Sequence, residues 1–258
     1  MHPFSKWQAS FAVVVMCFLI LGALLIDSAL IAQSVRAESS RTSHHLFHPG
    51  FGVAVIDGHI EVDEWANADT YTLPMYPNLP ESMTGKLYVM QSRTDFYLAF
   101  EITDNEMTTT EKNGLYGDTL QFHFDDNDSG TLYEINENKL TLFSSGPLYT
   151  DQFYVNDTGS SNYDITQVGG ETNGTGMSGR HDGSNHFEVR FPLCSGDFYD
   201  FCLAPMDIVG LQVKYYDMFP VDQSVDYDAY FYPAMGTGDL VTIEVQDIRT
   251  SYLPLILK

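Results

Sequence analysis

The stretch Lys86-Leu87-Tyr88-Val89-Met90-Gln91-Ser92-Arg93-Thr94-Asp95-Phe96-Tyr97-Leu98-Ala99-Phe100-Glu101-Ile102 decides the fold. Leu87 and Val89 alternate with their neighbours along Lys86–Ser92, and Phe96, Leu98, Phe100 and Ile102 share one face of the second run. A side-chain repeat of two belongs to a strand with one face in a core. The Thr94-Asp95 step between the runs predicts a hairpin turn. Working outward, Thr119–Phe124 repeats the pattern with Leu120, Phe122 and Phe124. Leu132–Ile135, Leu140–Phe143, Phe153–Val155, His186–Phe191, Ile208–Tyr216, Asp228–Tyr232 and Leu240–Val245 are short and rich in β-branched or aromatic residues. Gly, Asn, Asp and Ser fill the connections. Asn156–Asn185, with Gly169-Gly170, Asn173-Gly174 and Asp182-Gly183, predicts a long mobile excursion with one strand near Ile165. No amphipathic helix of ordinary length is predicted after the first forty residues. The expected class is all-β, a two-sheet antiparallel β-sandwich of jelly-roll or immunoglobulin-like form.

The first forty residues set the compartment. Lys6 is the only charge before the apolar run Phe11–Ile26, and small and polar residues lead on to Val35-Arg36-Ala37. That is the plan of a secretory signal peptide over residues 1–37, cleaved after Ala37 or a nearby alanine. The run is shorter than the ~20 residues of a spanning helix. Residues 38–51, with His44, His45 and His48, read as a flexible lead-in, 52–248 as one sandwich domain, and 249–258 as an apolar tail. The chain carries 35 acidic and 12 basic residues, a formal net charge of −23. A field of that sign repels phosphate backbones and anionic headgroups, which excludes nucleic acid and disfavours a membrane surface. Cys17 leaves with the leader, while Cys194 and Cys202 flank a short segment. In an oxidising compartment they are expected to close a small disulfide loop; two thiols without a clustered His make a poor metal site.

The order of several segments carries a family resemblance. Val55-Ile56-Asp57-Gly58-His59-Ile60 leads to Asp63-Glu64-Trp65 and Ala68, then to the hairpin above and on to Thr103-Asp104. Gly117-Asp118-Thr119-Leu120-Gln121-Phe122-His123-Phe124-Asp125 follows, then Phe187-Glu188-Val189-Arg190-Phe191-Pro192 and Val209-Gly210-Leu211-Gln212-Val213. This succession resembles the family 9 carbohydrate-binding module and its DOMON-like relatives, from roughly Val53 to Val245. The resemblance implies two facing antiparallel sheets, with the Ile-Asp-Gly turn and the Glu-Trp element closing one end. It implies a secreted or cell-surface, non-catalytic carbohydrate binder, with a companion glycoside hydrolase among its partners. Trp65 reads as a core plug. Family members that bind sugar ends are expected to hold the ring between two tryptophans; here those regions offer Tyr116, and Tyr227, Tyr230 and Tyr232. A tyrosine ring can stack on a pyranose face, so these four are the candidate carbohydrate-binding residues.

The acidic stretches point to a cation. Asp125-Asp126-Asn127-Asp128-Ser129-Gly130 sets hard oxygen ligands before a turning glycine, so Asp125, Asn127, Asp128 and Ser129 are candidate ligands of a structural calcium. Position twelve is Asn136, so no EF-hand is completed. Asp104-Asn105-Glu106, and Asp57 with Glu61 and Asp63, are weaker candidates. Gly-x-Ser-x-Gly, His-Glu-x-x-His and phosphate-loop patterns are absent, and no catalytic constellation stands out. Two other readings stay open. One is a haem-binding electron-transfer domain resembling the ethylbenzene dehydrogenase small subunit, with Met90, Met107, His123 and Lys86 as ligand candidates. The other is a surface adhesion or structural domain that binds no small ligand.

Overall fold

The computed structural model describes residues 46–77, 83–221, 224–234 and 240–247. The leader 1–37 and the tail 249–258 lie outside the described residues. The strands are β1 (Leu46–Phe47), β2 (Gly50–Phe51), β3 (Asp69–Pro77), β4 (Met83–Gln91), β5 (Asp95–Thr103), β6 (Glu111–Lys112), β7 (Leu115–Tyr116) and β8 (Thr119–Asp125). They continue with β9 (Asn138–Phe143), β10 (Tyr149–Tyr154), β11 (Ser161–Tyr163), β12 (Thr175–His181), β13 (Ser184–Pro192), β14 (Ile208–Val221), β15 (Ser224–Tyr232) and β16 (Val241–Glu244). Among the described residues the single helical element is a 3-10 turn, Asp164–Thr166.

The strands form two layers. The first runs β11-β10-β9-β8-β14-β15 and the second β3-β4-β5-β13-β12. A short pairing of β15 with β3, Tyr230 to Pro77 and Phe231 to Tyr76, joins them at one edge. The predicted hairpin is β4 and β5, with Leu87 opposite Phe100 and Val89 opposite Leu98. Those four side chains, with Phe122, Phe124, Leu140, Leu142, Phe187, Leu211 and Val213, lie buried between the layers. Period two thus places one face of each long strand in a shared core.

Three local expectations need correction. Leu132–Ile135 is an irregular loop, in which Tyr133 (φ 72°) turns left-handed just ahead of Asn136 (φ 73°), a conformation no strand continues through. Ile165 sits in the 3-10 turn, not in a strand. Much of the predicted excursion is ordered: β12 pairs with β13 along its whole length, turning at Asp182-Gly183 with φ of 48° and 85°. Two consecutive left-handed residues are what a tight hairpin requires, and Asp-Gly supplies them cheaply. Cys194 and Cys202 form the expected disulfide, which closes a loop against the end of β13.

A second, smaller cluster covers the outer face of the second layer. Trp65, Tyr88, Met90, Tyr97 and Ala99 are buried there, with Ile56 and Ile60 packed on them. Glu188 on β13 holds this cover in place. Its Oε2 accepts from the backbone N–H of Gly58 (2.7 Å), His59 (3.0 Å) and Asp57 (3.2 Å), and its Oε1 from Trp65 Nε1 (2.8 Å). Trp65 is a core plug whose indole N–H finds a buried partner, as expected from the sequence.

Candidate functional site

The first layer turns an apolar face to the core and a polar face outward. On β8, Leu120, Phe122 and Phe124 point inward, so Gln121 and His123 point out. Register then lines up a rung of Gln152, Lys139, His123 and Gln212 across β10, β9, β8 and β14. The next rung holds Thr150, Thr141, Gln121, Lys214 and Phe231, and ends on Tyr76 of β3. A third carries Phe143, Thr119, Tyr216 and Ala229.

This floor is polar yet shielded. Gln121, His123, Thr141, Gln152 and Gln212 are all buried, and Thr141 Oγ1 and Gln212 Oε1 have no hydrogen-bond partner. The His123 ring bonds through Nδ1 to the Tyr154 hydroxyl and through Nε2 to Gln121 Oε1 (3.1 Å). Lys139 Nζ donates to Ser161 Oγ (2.7 Å), and Lys214 Nζ lies 4.5 Å from the Tyr216 ring centre and 5.0 Å from that of Phe231. Neither ammonium has a carboxylate within ion-pair distance among the described residues. Burial pushes both lysines down to about 8, Lys139 further influenced by Lys214, and holds His123 well below its ordinary value. Packed sheet faces normally end in apolar or solvated side chains, so buried amides and hydroxyls in rows with half-buried ammoniums make a surface prepared for a polar partner.

Two of the four candidate tyrosines border this floor. Tyr116 meets Phe143 edge-on with ring centres 5.4 Å apart, and Tyr227 meets Tyr216 in the same way at 5.4 Å. The strand period sends the other two elsewhere. Tyr230 is buried in the core opposite Tyr215, and Tyr232 packs against that core, so neither offers a free ring face on the outer surface. Tyr216, Phe231, Tyr133 and Tyr154 are aromatic members of the outer face that the sequence reading passed over. Their signal lay in a polar alternation, Gln121-x-His123 with Lys139-x-Thr141 and Gln212-x-Lys214, which reads as a solvated face until register joins the rows.

Acidic groups converge away from the floor. In the Asp125–Gly130 loop, Asp125 accepts from the backbone N–H of Ser129 (2.9 Å) and Gly130 (2.7 Å). Asn127 Nδ2 and Ser129 Oγ donate to the two oxygens of Glu134 (both 3.1 Å), and Asp128 takes a left-handed φ of 51°. The loop is thus closed by its own hydrogen bonds. Two partly buried triads could hold a metal ion instead: Asp104, Asp118 and Asp217, and Asp151, Asp164 and Asp200. The first is already well supplied with donors. Asp118 accepts from Thr108 N–H and Met218 N–H (both 2.9 Å), and Asn185 Nδ2 donates to Asp118 (3.0 Å) and Asp104 (3.1 Å). The haem candidates are not brought together: Met90 belongs to the cluster outside the second layer, and His123 to the outer face of the first.

Glu137, just before β9, offers a measurable property of this end of the sheet. It is buried, its Oε1 has no partner, and burial pushes its carboxyl up to about 8. A folded-state value raised above the unfolded one gives stability that is fully present below the ordinary glutamate range and lost as pH rises through about 8. Thermal melting between pH 5 and 9 is expected to fall more steeply for the native protein than for Glu137→Gln. Parallel curves would show that Glu137 does not titrate in that window.

Comparison with known proteins places this geometry. A family model described as carbohydrate family 9 binding domain-like matches residues 56–225. A family 9 carbohydrate-binding module from Caldicellulosiruptor kristjanssonii, solved with cellotriose, superposes with a TM-score of 0.57 at 12% identity, covering 81% of this chain and 98% of the other. The same organism's module solved with glucose gives 0.55 at 13% identity, covering 81% and 100%. No curated protein matches the chain.

Proposed function

From the premise that this chain belongs to the carbohydrate family 9 binding domain-like family, we propose that it binds carbohydrate, without cleaving it, on the outer polar face of its first layer. One observation carries the location: rows of buried amide and hydroxyl groups with half-buried ammoniums, two of their atoms unpartnered, lie between aromatic rings. Sugar hydroxyls are both donors and acceptors, and pyranose rings carry apolar C–H faces, so this combination suits them. Tyr116 and Tyr227 are the ring contacts, with Tyr216 and Phe231 beside them. Gln121, Lys139, Gln212 and Lys214 make the polar contacts. The bound forms of the Caldicellulosiruptor modules make glucose and cellotriose the first ligands to try.

The wider setting belongs to the same reading. The protein acts outside the cell, where its disulfide is stable, beside a glycoside hydrolase that shares its polysaccharide. It is calcium-stabilised, because partly buried carboxylates converge in two places. The test is calorimetric titration of the purified protein with mono- and oligosaccharides. Saturable binding is expected, weakened roughly 2- to 10-fold by Tyr227→Ala or Tyr116→Ala, from the loss of about 0.5–1.5 kcal/mol of ring contact. Binding by no sugar, in protein shown to be folded, would remove the reading.

A further inference from the structure

The cations on the outer face of the first layer differ from those elsewhere in the chain. Among the described residues Lys86, Arg93, Arg180 and Arg190 are exposed to water, and the half-buried Lys112 pairs with Asp226 at 3.0 Å. Lys139 and Lys214 are also half-buried, yet neither has a carboxylate within ion-pair distance among the described residues, in a chain with 35 acidic residues. The two act on one place. Lys139 belongs to β9 and Lys214 to β14, on either side of β8, whose His123 feels both ammoniums. Burial, and for Lys139 then the charge of Lys214, holds both lysines down to about 8, with no acid to offset it. The neutral groups beside them lean the same way. His123 Nε2 donates to Gln121 Oε1 (3.1 Å), which leaves the NH2 end of Gln121 as a donor. Thr141 Oγ1, in the rung of Gln121 and Lys214, has no partner. Gln212 Oε1 stands apart as an unpartnered acceptor and suits a sugar hydroxyl.

We propose that the ligand of this face is an anionic sugar, a ring bearing a carboxylate as in a uronic acid or a sulfate ester, with its charged group held by Lys139 and Lys214 across β8. This rests on the reading that the outer face binds carbohydrate, and names which class of carbohydrate. A partly desolvated ammonium without a counter-charge is unfavourable, and an anion seated between two of them offsets both. A carboxylate or sulfate only accepts hydrogen bonds, so the ammoniums, the Gln121 amide and the Thr141 hydroxyl can all donate to it. Bonds from an ammonium to an anion are about twice as strong as those between neutral groups. A hydroxymethyl group in that place offers one oxygen and no charge. The formal charge of −23 acts from farther away, where physiological salt screens it over about 8 Å. It slows the approach of an anion and leaves the contact itself to the two ammoniums.

The test is calorimetric titration of the purified full chain, at about pH 6.5 where both lysines are charged, with three methyl glycosides that differ only at C6. They are the neutral sugar, its uronic acid and its 6-sulfate, each in the gluco and the galacto series. The native protein should bind a charged member at least about tenfold more tightly than its neutral parent, and the tighter of the two identifies the charge. Lys139→Met and Lys214→Met should each cut that preference below about threefold, whatever they do to the neutral sugar. The comparison on the native protein stands without either variant. Neutral and charged rings bound alike, or the neutral ring preferred, would overturn the anionic ligand and leave sugar binding in place. So would a preference that survives both substitutions, since the charge would then be read elsewhere. Binding of none of the six, by protein shown to be folded, would remove the reading of the face as well.

Discussion

Replacing Glu188 by alanine is expected to lower the stability of the fold by about 3–5 kcal/mol, among the largest effects of any single substitution in this chain. The residue is 0% exposed, and its carboxylate receives four N–H groups from another part of the chain. Truncation leaves the amides of Asp57, Gly58 and His59 and the indole of Trp65 without their acceptor. Each unsatisfied buried donor costs about 1–3 kcal/mol, tempered where water can enter. A cavity beneath Trp65 adds to that loss. Gly58 contributes a second constraint, since its φ of 88° and its approach to Ser178 O leave no room for a Cβ. Urea unfolding of Glu188→Ala against Glu188→Gln separates the contributions. Glutamine keeps an acceptor for part of the set and should recover part of the loss. A change below 1 kcal/mol in Glu188→Ala would mean that the Asp57–Trp65 segment is not coupled to the sandwich.

That hub shows why part of this molecule was legible in the sequence and part was not. Ile56-Asp57-Gly58 and Glu64-Trp65 were expected as a closing element because the resemblance implied it from the order of the segments. Glu188 was quoted within a strand, yet nothing in Phe187-Glu188-Val189 says that its partners lie 123 to 131 residues away. The long strands were legible for a local reason: Leu120, Phe122 and Phe124 alternate whatever they pair with. Thr175–His181 was missed because Thr-Gly-Met-Ser-Gly-Arg-His has no apolar alternation, and its strand state comes from pairing with β13. The placing of the candidate tyrosines was hidden at the same level. Tyr227, Tyr230 and Tyr232 look alike in sequence, but the odd and even positions of β15 face opposite sides. An odd spacing, such as the three residues from Tyr227 to Tyr230, therefore separates a rim residue from a core residue. The acidic loop at Asp125 had the composition of a calcium loop. The triad of Asp151, Asp164 and Asp200 has no sequence signature at all, because its three members come from three separate segments.

The floor itself yields the second large effect, and its two signs are opposite. Lys214→Met is expected to reduce carbohydrate affinity at least tenfold while raising the melting temperature. Lys214 is held between the rings of Tyr216 and Phe231, with its ammonium aimed at the outer face and no acid beside it. Burial disfavours its charged form, which is why its titration is pushed down to about 8. In the unfolded chain the lysine keeps its ordinary value near 10.5, so at pH 7 the native state carries a desolvated charge that the unfolded state does not. Between about pH 8 and 10.5 the unfolded chain holds the extra proton, and the native protein gains stability from this group as pH rises. The advantage of methionine over lysine should therefore be greatest near pH 7 and shrink towards pH 10. Methionine fills a similar volume without a charge, and it removes a donor that a sugar hydroxyl would use. A residue kept for packing loses stability when replaced; one kept for recognition at the expense of the fold gains it. Melting curves at pH 7 and 10, with a sugar titration on the same preparations, measure both signs. Lower stability together with unchanged affinity would make Lys214 a structural residue and move the binding face off this floor.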